Sequence, residues 1–115
     1  MHETSLMEQL LTVAEEHLAS YRVKKVNKLI IKTGKLANVI PAALEFAFEA
    51  LSRGRIMQGA ELSLLEMPII ARCQDCCNEY EAAIPFVCPA CGSNSAEIVS
   101  GAEVFLDSID FEEEL

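Results

Sequence analysis

The chain has 115 residues, 51% of them apolar, and sets 18 acidic residues against 9 basic ones for a formal net charge of −9. That length bounds it to one domain, or one domain with a small satellite. The acidic balance repels a phosphate backbone and attracts cations or a basic partner surface. No apolar run reaches the ~18 residues of a membrane span, and the first residues have no basic signal region. The five cysteines are an odd number, which suits neither a closed disulfide framework nor secretion. A cytoplasmic protein is expected, with neither nucleic acid nor membrane as its partner.

In chain order, residues 4–21 predict a first helix. Ser5 and Glu8 fit a capping box. Leu6, Leu10, Val13, Ala14, His17, Leu18 and Tyr21 recur at three- and four-residue intervals as one apolar face. Val26 to Thr33 is rich in β-branched residues and predicts a strand ended by Gly34. The lysines around it (Lys24, Lys25, Lys28, Lys32, Lys35) read as a solvated strand edge, with a docking patch for an acidic partner as the alternative. Residues 41–53 predict a second helix, with Pro41 at N1 and Gly54 as the residue after its end. Leu44, Phe48 and Leu51 form its core stripe, widened by Phe46 and Ala47. Residues 60–67 alternate as a second strand closed by Pro68. Val104 to Ile109 alternate as a last strand, and the acidic end from Asp110 to Leu115 is expected to fray.

Between these elements lies Cys73-Gln-Asp-Cys76, then eleven residues, then Cys88-Pro-Ala-Cys91-Gly92. Each Cys-x-x-Cys turn points two sulfurs at one spot, and four thiolates satisfy the tetrahedral preference of Zn(II). Cys73, Cys76, Cys88 and Cys91 are therefore expected to form a closed structural site rather than a catalytic one. Two disulfides, or four unrelated buried cysteines, are the alternatives. Gly92 follows the second turn, where positive φ is often required. Cys77 has three readings: an inert small residue, an alternative ligand, or a thiol that makes the site redox- or metal-sensitive. The fold class expected is α+β: two helices on a small three-stranded sheet, with a four-cysteine zinc-ribbon module inserted. Residues 1–68 plus 97–115 would form the α/β domain and 69–96 the zinc-binding module.

A four-cysteine zinc site offers no reaction, and no Ser/His/Asp or Cys/His arrangement or Gly-rich phosphate loop is visible, so no enzyme is expected. His17 reads as a satisfied, partly buried histidine, with a metal ligand as the alternative. His2 differs, because the α-amine of Met1, the amide nitrogen of His2 and its imidazole Nδ1 can close a five- and a six-membered ring on one metal. Deprotonating that amide takes a strongly binding ion such as Ni(II) or Cu(II), which also prefers square-planar nitrogen donors. Glu3 can supply a fourth ligand. The site requires a retained Met1 and an unmodified terminus, and an incidental histidine is the alternative.

Met1-His2-Glu3 followed by Ser5 and an amphipathic helix resembles the start of the HypA/HybF family of hydrogenase nickel-incorporation proteins. The resemblance continues through Val39-Ile-Pro-Ala-Ala-Leu-Glu-Phe-Ala-Phe-Glu49, Gly59-Ala-Glu-Leu62 and Pro68. It ends with the two cysteine pairs and Ile98-Val-Ser-Gly-Ala-Glu103. It implies a nickel metallochaperone that takes Ni(II) at Met1, His2 and Glu3. It also implies delivery, with a HypB-type GTPase partner, to the large subunit of [NiFe]-hydrogenase. The family's Zn(II) site maps onto Cys73, Cys76, Cys88 and Cys91. Service to urease and a homodimer are left open. The rival reading is a zinc ribbon that binds nucleic acid or the transcription machinery, against which no Lys or Arg stands between Cys73 and Cys91.

Overall fold

The computed structural model describes residues 3–115; Met1 and His2 lie outside the described residues. The element order is α1 (Glu3–Leu18), β1 (Val23–Gly34), a 3-10 turn (Lys35–Ala37), α2 (Pro41–Leu51), β2 (Glu61–Met67), β3 (Ile69–Cys73), β4 (Glu79–Ala82), β5 (Ala96–Ser100) and β6 (Val104–Glu113). Two three-stranded sheets form, with strand orders β2-β1-β6 and β4-β3-β5. The expected two helices and three-stranded sheet are present, and the cysteine segment builds a second small sheet of its own.

The chain divides into two compact units. One holds residues up to Lys32, Val39–Leu65 and Phe105–Leu115; the other holds Thr33–Asn38 and Glu66–Val104. These boundaries differ from the expected 69–96 module. Residues 97–104 fall with the cysteines because β5 pairs antiparallel with β3, setting Ala71 against Ile98 and Cys73 against Ala96. Residues 33–38 fall there too, since the Gly34 N–H donates to the Glu103 carbonyl at 2.7 Å and the Leu36 N–H to the Gly101 carbonyl at 2.8 Å. That approach requires glycine, because a Cβ on Gly34 would collide with the Gly101 carbonyl group.

In the first unit α1 and α2 pack on each other. The buried stripe of α1 is Met7, Leu10, Leu11, Ala14 and Leu18, rotated from the expected face. Val13 and Tyr21 are 40% and 50% exposed, and His17 is exposed rather than partly buried. Periodicity alone admits both stripes, because apolar side chains lie on each; packing selects the one with the larger residues Met7 and Leu11. The helix also begins at Glu3, so Ser5 lies inside it and is not the N-cap. In α2, Leu44, Ala47 and Phe48 are buried, Leu51 is half-buried, and Phe46 is 74% exposed. Ile40 is the N-cap, with Pro41 in the first turn. β1 contributes Val26, Leu29 and Ile31 to the interior.

Arg55, in the turn after α2, bonds α1 across the unit. Its Nε and Nη2 donate to both Glu15 carboxylate oxygens at 2.8 and 2.7 Å, and its Nη1 donates to Glu8 at 2.7 Å. The guanidinium holds the Glu15 carboxyl below its ordinary value despite partial burial. The acidic end does not fray: β6 runs to Glu113, and the Glu114 N–H donates to the Arg22 carbonyl at 2.8 Å. Phe111 meets Tyr21 edge-on with ring centroids 5.1 Å apart, an aromatic geometry that adds to simple burial.

Candidate metal centre

The second unit has a small core: Ile69, Ala71, Cys73, Tyr80, Ala82 and Cys88, with Leu36, Phe86 and Ala96 against it. On β3 the alternation Ile69, Ala71, Cys73 buries one face, and β4 answers with Tyr80 and Ala82. The register sets Ile69 against Ala82 and Ala71 against Tyr80, while the neighbouring pair Arg72 and Glu79 forms an ion pair at 2.8 Å. The sheet thus delivers Cys73 to the end of its buried face.

Two turns of one design bring the sulfurs together. In the first, the Cys73 N–H donates to the Asn78 carbonyl and the Cys77 N–H to the Cys73 carbonyl, both at 2.9 Å. In the second, the Cys88 N–H donates to the Ser93 carbonyl and the Gly92 N–H to the Cys88 carbonyl, both at 2.8 Å. The residue after each second cysteine has positive φ, 63° at Cys77 and 77° at Gly92. Cys77 is therefore the counterpart of Gly92. It is exposed and is not among the converging sulfurs.

The sulfurs of Cys73, Cys76, Cys88 and Cys91 lie within 4.8 Å of one another. Cys73 and Cys91 are 3.5 Å apart, and Cys76 and Cys88 are 3.6 Å apart. A tetrahedral site with metal–sulfur bonds of about 2.3 Å needs sulfurs about 3.8 Å apart, so the donor set fits Zn(II) with small adjustments. No disulfide joins the five cysteines, and four of the sulfurs converge on one spot as a metal site requires.

The thiols differ in acidity. Burial pushes Cys88 up, but the N–H groups of Cys91 and Ala90 and the thiols of Cys76 and Cys91 outweigh it and bring it down to about 6. Cys73 is lowered by the Cys76 N–H, against burial. Cys91 is favoured as thiolate by the Ser93 N–H, yet the Cys73 thiol, burial and the other sulfurs push it up to about 12. Cys76 is raised as well, the Asn78 N–H notwithstanding, by burial and the Cys88 and Cys73 thiols. With four sulfurs this close, full deprotonation crowds negative charge that a bound cation would compensate. Burial, with the charge of the four sulfurs, also raises the Tyr80 phenol.

Of the other residues singled out by sequence, Met1 and His2 lie outside the described residues. Glu3 opens α1, and its carboxylate lies 3.5 Å from the Ile40 nitrogen. His17 lines an open groove of about 390 Å³ with Tyr21, Leu106, Asp107 and Phe111, and among the described residues no second histidine or cysteine lines that groove. Sequence reasoning missed the αL role of Cys77 and the place of Tyr80 in the metal-site core. Aligning the two halves, Cys73 to Asn78 on Cys88 to Ser93, would have exposed the first.

Comparison with known proteins settles the family. A model described as hydrogenase/urease nickel incorporation, metallochaperone, hypA, matches residues 1–111. The chain belongs to the HypA family. It is 39% identical over 114 residues to hydrogenase maturation factor HypA of Desulfitobacterium hafniense, covering 98% of this chain and 100% of that one. With the same factor of Aquifex aeolicus the identity is 35% over 113 residues, covering 97% and 98%. The solution structure of a HypA protein matches with TM-score 0.76 at 25% identity, over 99% of this chain and 98% of that one. The solution structure of the Ni metallochaperone HypA from Helicobacter pylori matches in fold with TM-score 0.73 at 24% identity, over 99% and 100%. HypA membership and the four-sulfur cluster fit a protein that handles metal ions. Among the described residues no helix is long and apolar enough to cross a membrane.

Proposed function

We propose that this chain is a cytoplasmic nickel carrier for hydrogenase maturation that holds a second, resident Zn(II) and catalyses no reaction. The observation that carries the reading is the family match, which starts at residue 1 and so includes Met1-His2-Glu3. Ni(II) is the cargo, taken by the Met1 amine, the His2 amide nitrogen and imidazole, and Glu3. Such a terminal chelate is open to an incoming ligand, as a carrier requires. Zn(II) is the ion for Cys73, Cys76, Cys88 and Cys91, because a closed four-thiolate set suits it and leaves no position for substrate. When bound, it supplies folding energy to a sheet whose own core is small. The recipient is the [NiFe]-hydrogenase large subunit, reached with a HypB-type GTPase. The two metal roles assign the N-terminal unit to nickel and the cysteine unit to zinc.

Metal analysis of wild type beside His2→Ala tests this. Wild type should hold nickel and zinc, and the variant should lose its nickel while keeping its zinc and far-UV spectrum. Unchanged nickel stoichiometry in His2→Ala would sink the terminal site.

A further inference from the structure

Tyr80 on β4 is 9% exposed, and its hydroxyl oxygen is buried without a hydrogen-bond partner, alone in this among the described residues. A buried phenol normally finds an acceptor, and phenylalanine fills the same space where none exists. In the core that holds Tyr80, the only side chains able to accept are those of Cys73 and Cys88. Tyr80 shares its core with Cys73 and Cys88. It stands across from Ala71, two residues before Cys73 on the same buried face, so Cys73 is its diagonal neighbour, a separation an aromatic side chain can span. Asn78, two residues before Tyr80, already points its amide at Cys88, with Nδ2 4.0 Å from Sγ. Asn78 therefore already supplies one side-chain donor to a sulfur, and Tyr80 carries a second, unused donor within the same core.

We propose that Tyr80 is a positioning residue for the bound metal, its hydroxyl donating a hydrogen bond to a thiolate sulfur of Cys73 or Cys88 beside the Asn78 amide. The proposal rests on the reading of the four cysteines as a metal site. Four thiolates around a divalent cation leave two formal negative charges on sulfur. A donor aimed at that charge withdraws density, weakens the sulfur as a nucleophile and proton acceptor, and retains the ion longer. The donors approach from the core, where Cys73 and Cys88 are buried, while Cys76 and Cys91 face solvent.

The full chain loaded with Co(II) in place of Zn(II) tests this, because the sulfur-to-cobalt charge-transfer band reports electron density on sulfur. Tyr80→Phe keeps the ring, so the fold and the one-ion stoichiometry should persist. The band should move to lower energy and release to excess chelator should speed up roughly 10-fold. Asn78→Ala should shift the band in the same direction, and the double variant further. An unchanged band in Tyr80→Phe overturns the proposal and makes the hydroxyl an unpaired burden, whose removal would only raise the melting temperature. A wild-type chain that takes up no Co(II) at its cysteines overturns the metal reading itself, and this proposal with it.

Discussion

Cys77 occupies a backbone conformation for which its side chain is poorly suited. At φ 63° an L-residue brings its Cβ near the following carbonyl, at roughly 1–2 kcal/mol, a penalty glycine escapes. The equivalent position in the second turn is Gly92, and nothing lies within 4 Å of where its Cβ would be. The cost at Cys77 is therefore one of backbone conformation rather than crowding. Cys77→Gly should keep the full metal complement and raise stability by about 1 kcal/mol, read as a higher denaturation midpoint of the metal-loaded protein. Cys77→Ala, which keeps the Cβ, should give no such gain. Loss of metal in either variant would instead make Cys77 a ligand.

At the scale of the element, α1 shows how packing resolves a sequence that permits two faces. Leu11 is 1% exposed and Val13 is 40% exposed, although both lie on plausible apolar stripes. Leu11→Ala should cost about 2–5 kcal/mol through a cavity, whereas Val13→Ala should stay within about 0.5 kcal/mol. Denaturant titration of the two variants checks the assignment of the buried face. Arg55 locks the same helix from outside the stripe. Its bonds depress Glu15, so the pair contributes stability above the ordinary carboxylate pKa and loses it as pH falls through the depressed value. β6 shows the opposite case to the stripe: an acidic segment is ordered because its backbone pairs and Phe111 meets Tyr21.

For the whole molecule, the two units differ in how they are held. The first buries long side chains from α1, β1 and α2, including Met7, Leu11, Leu29, Ile31 and Leu44. The second has a six-residue core of which Cys73 and Cys88 are members, so an ion bound there would supply much of its cohesion. Chelator should therefore expose the amides of β3, β4 and β5 to hydrogen exchange while those of α1 remain protected. Uniform exposure of both units would show that the metal stabilises the molecule as one. The acidic charge belongs to this scale too, since it favours metal cations and a basic partner surface over nucleic acid.

Local chemistry was legible in the sequence. The cysteine spacing, the start of α2 at Pro41 and the existence of β2 follow from residues close together in the chain. Where two solutions were locally equivalent, only the tertiary structure chose between them. It selected Met7 and Leu11 over Val13 and His17 for burial, because a helix face is defined by what packs on it. It drew residues 97–104 to the cysteines through pairing with β3, a partner more than twenty residues away. It gave Cys77 its place as the counterpart of Gly92, since backbone conformation in a turn is set by the hydrogen bonds that close it. And it left the Tyr80 hydroxyl buried without a partner in the core that holds Cys73 and Cys88, which no periodicity in the chain announces.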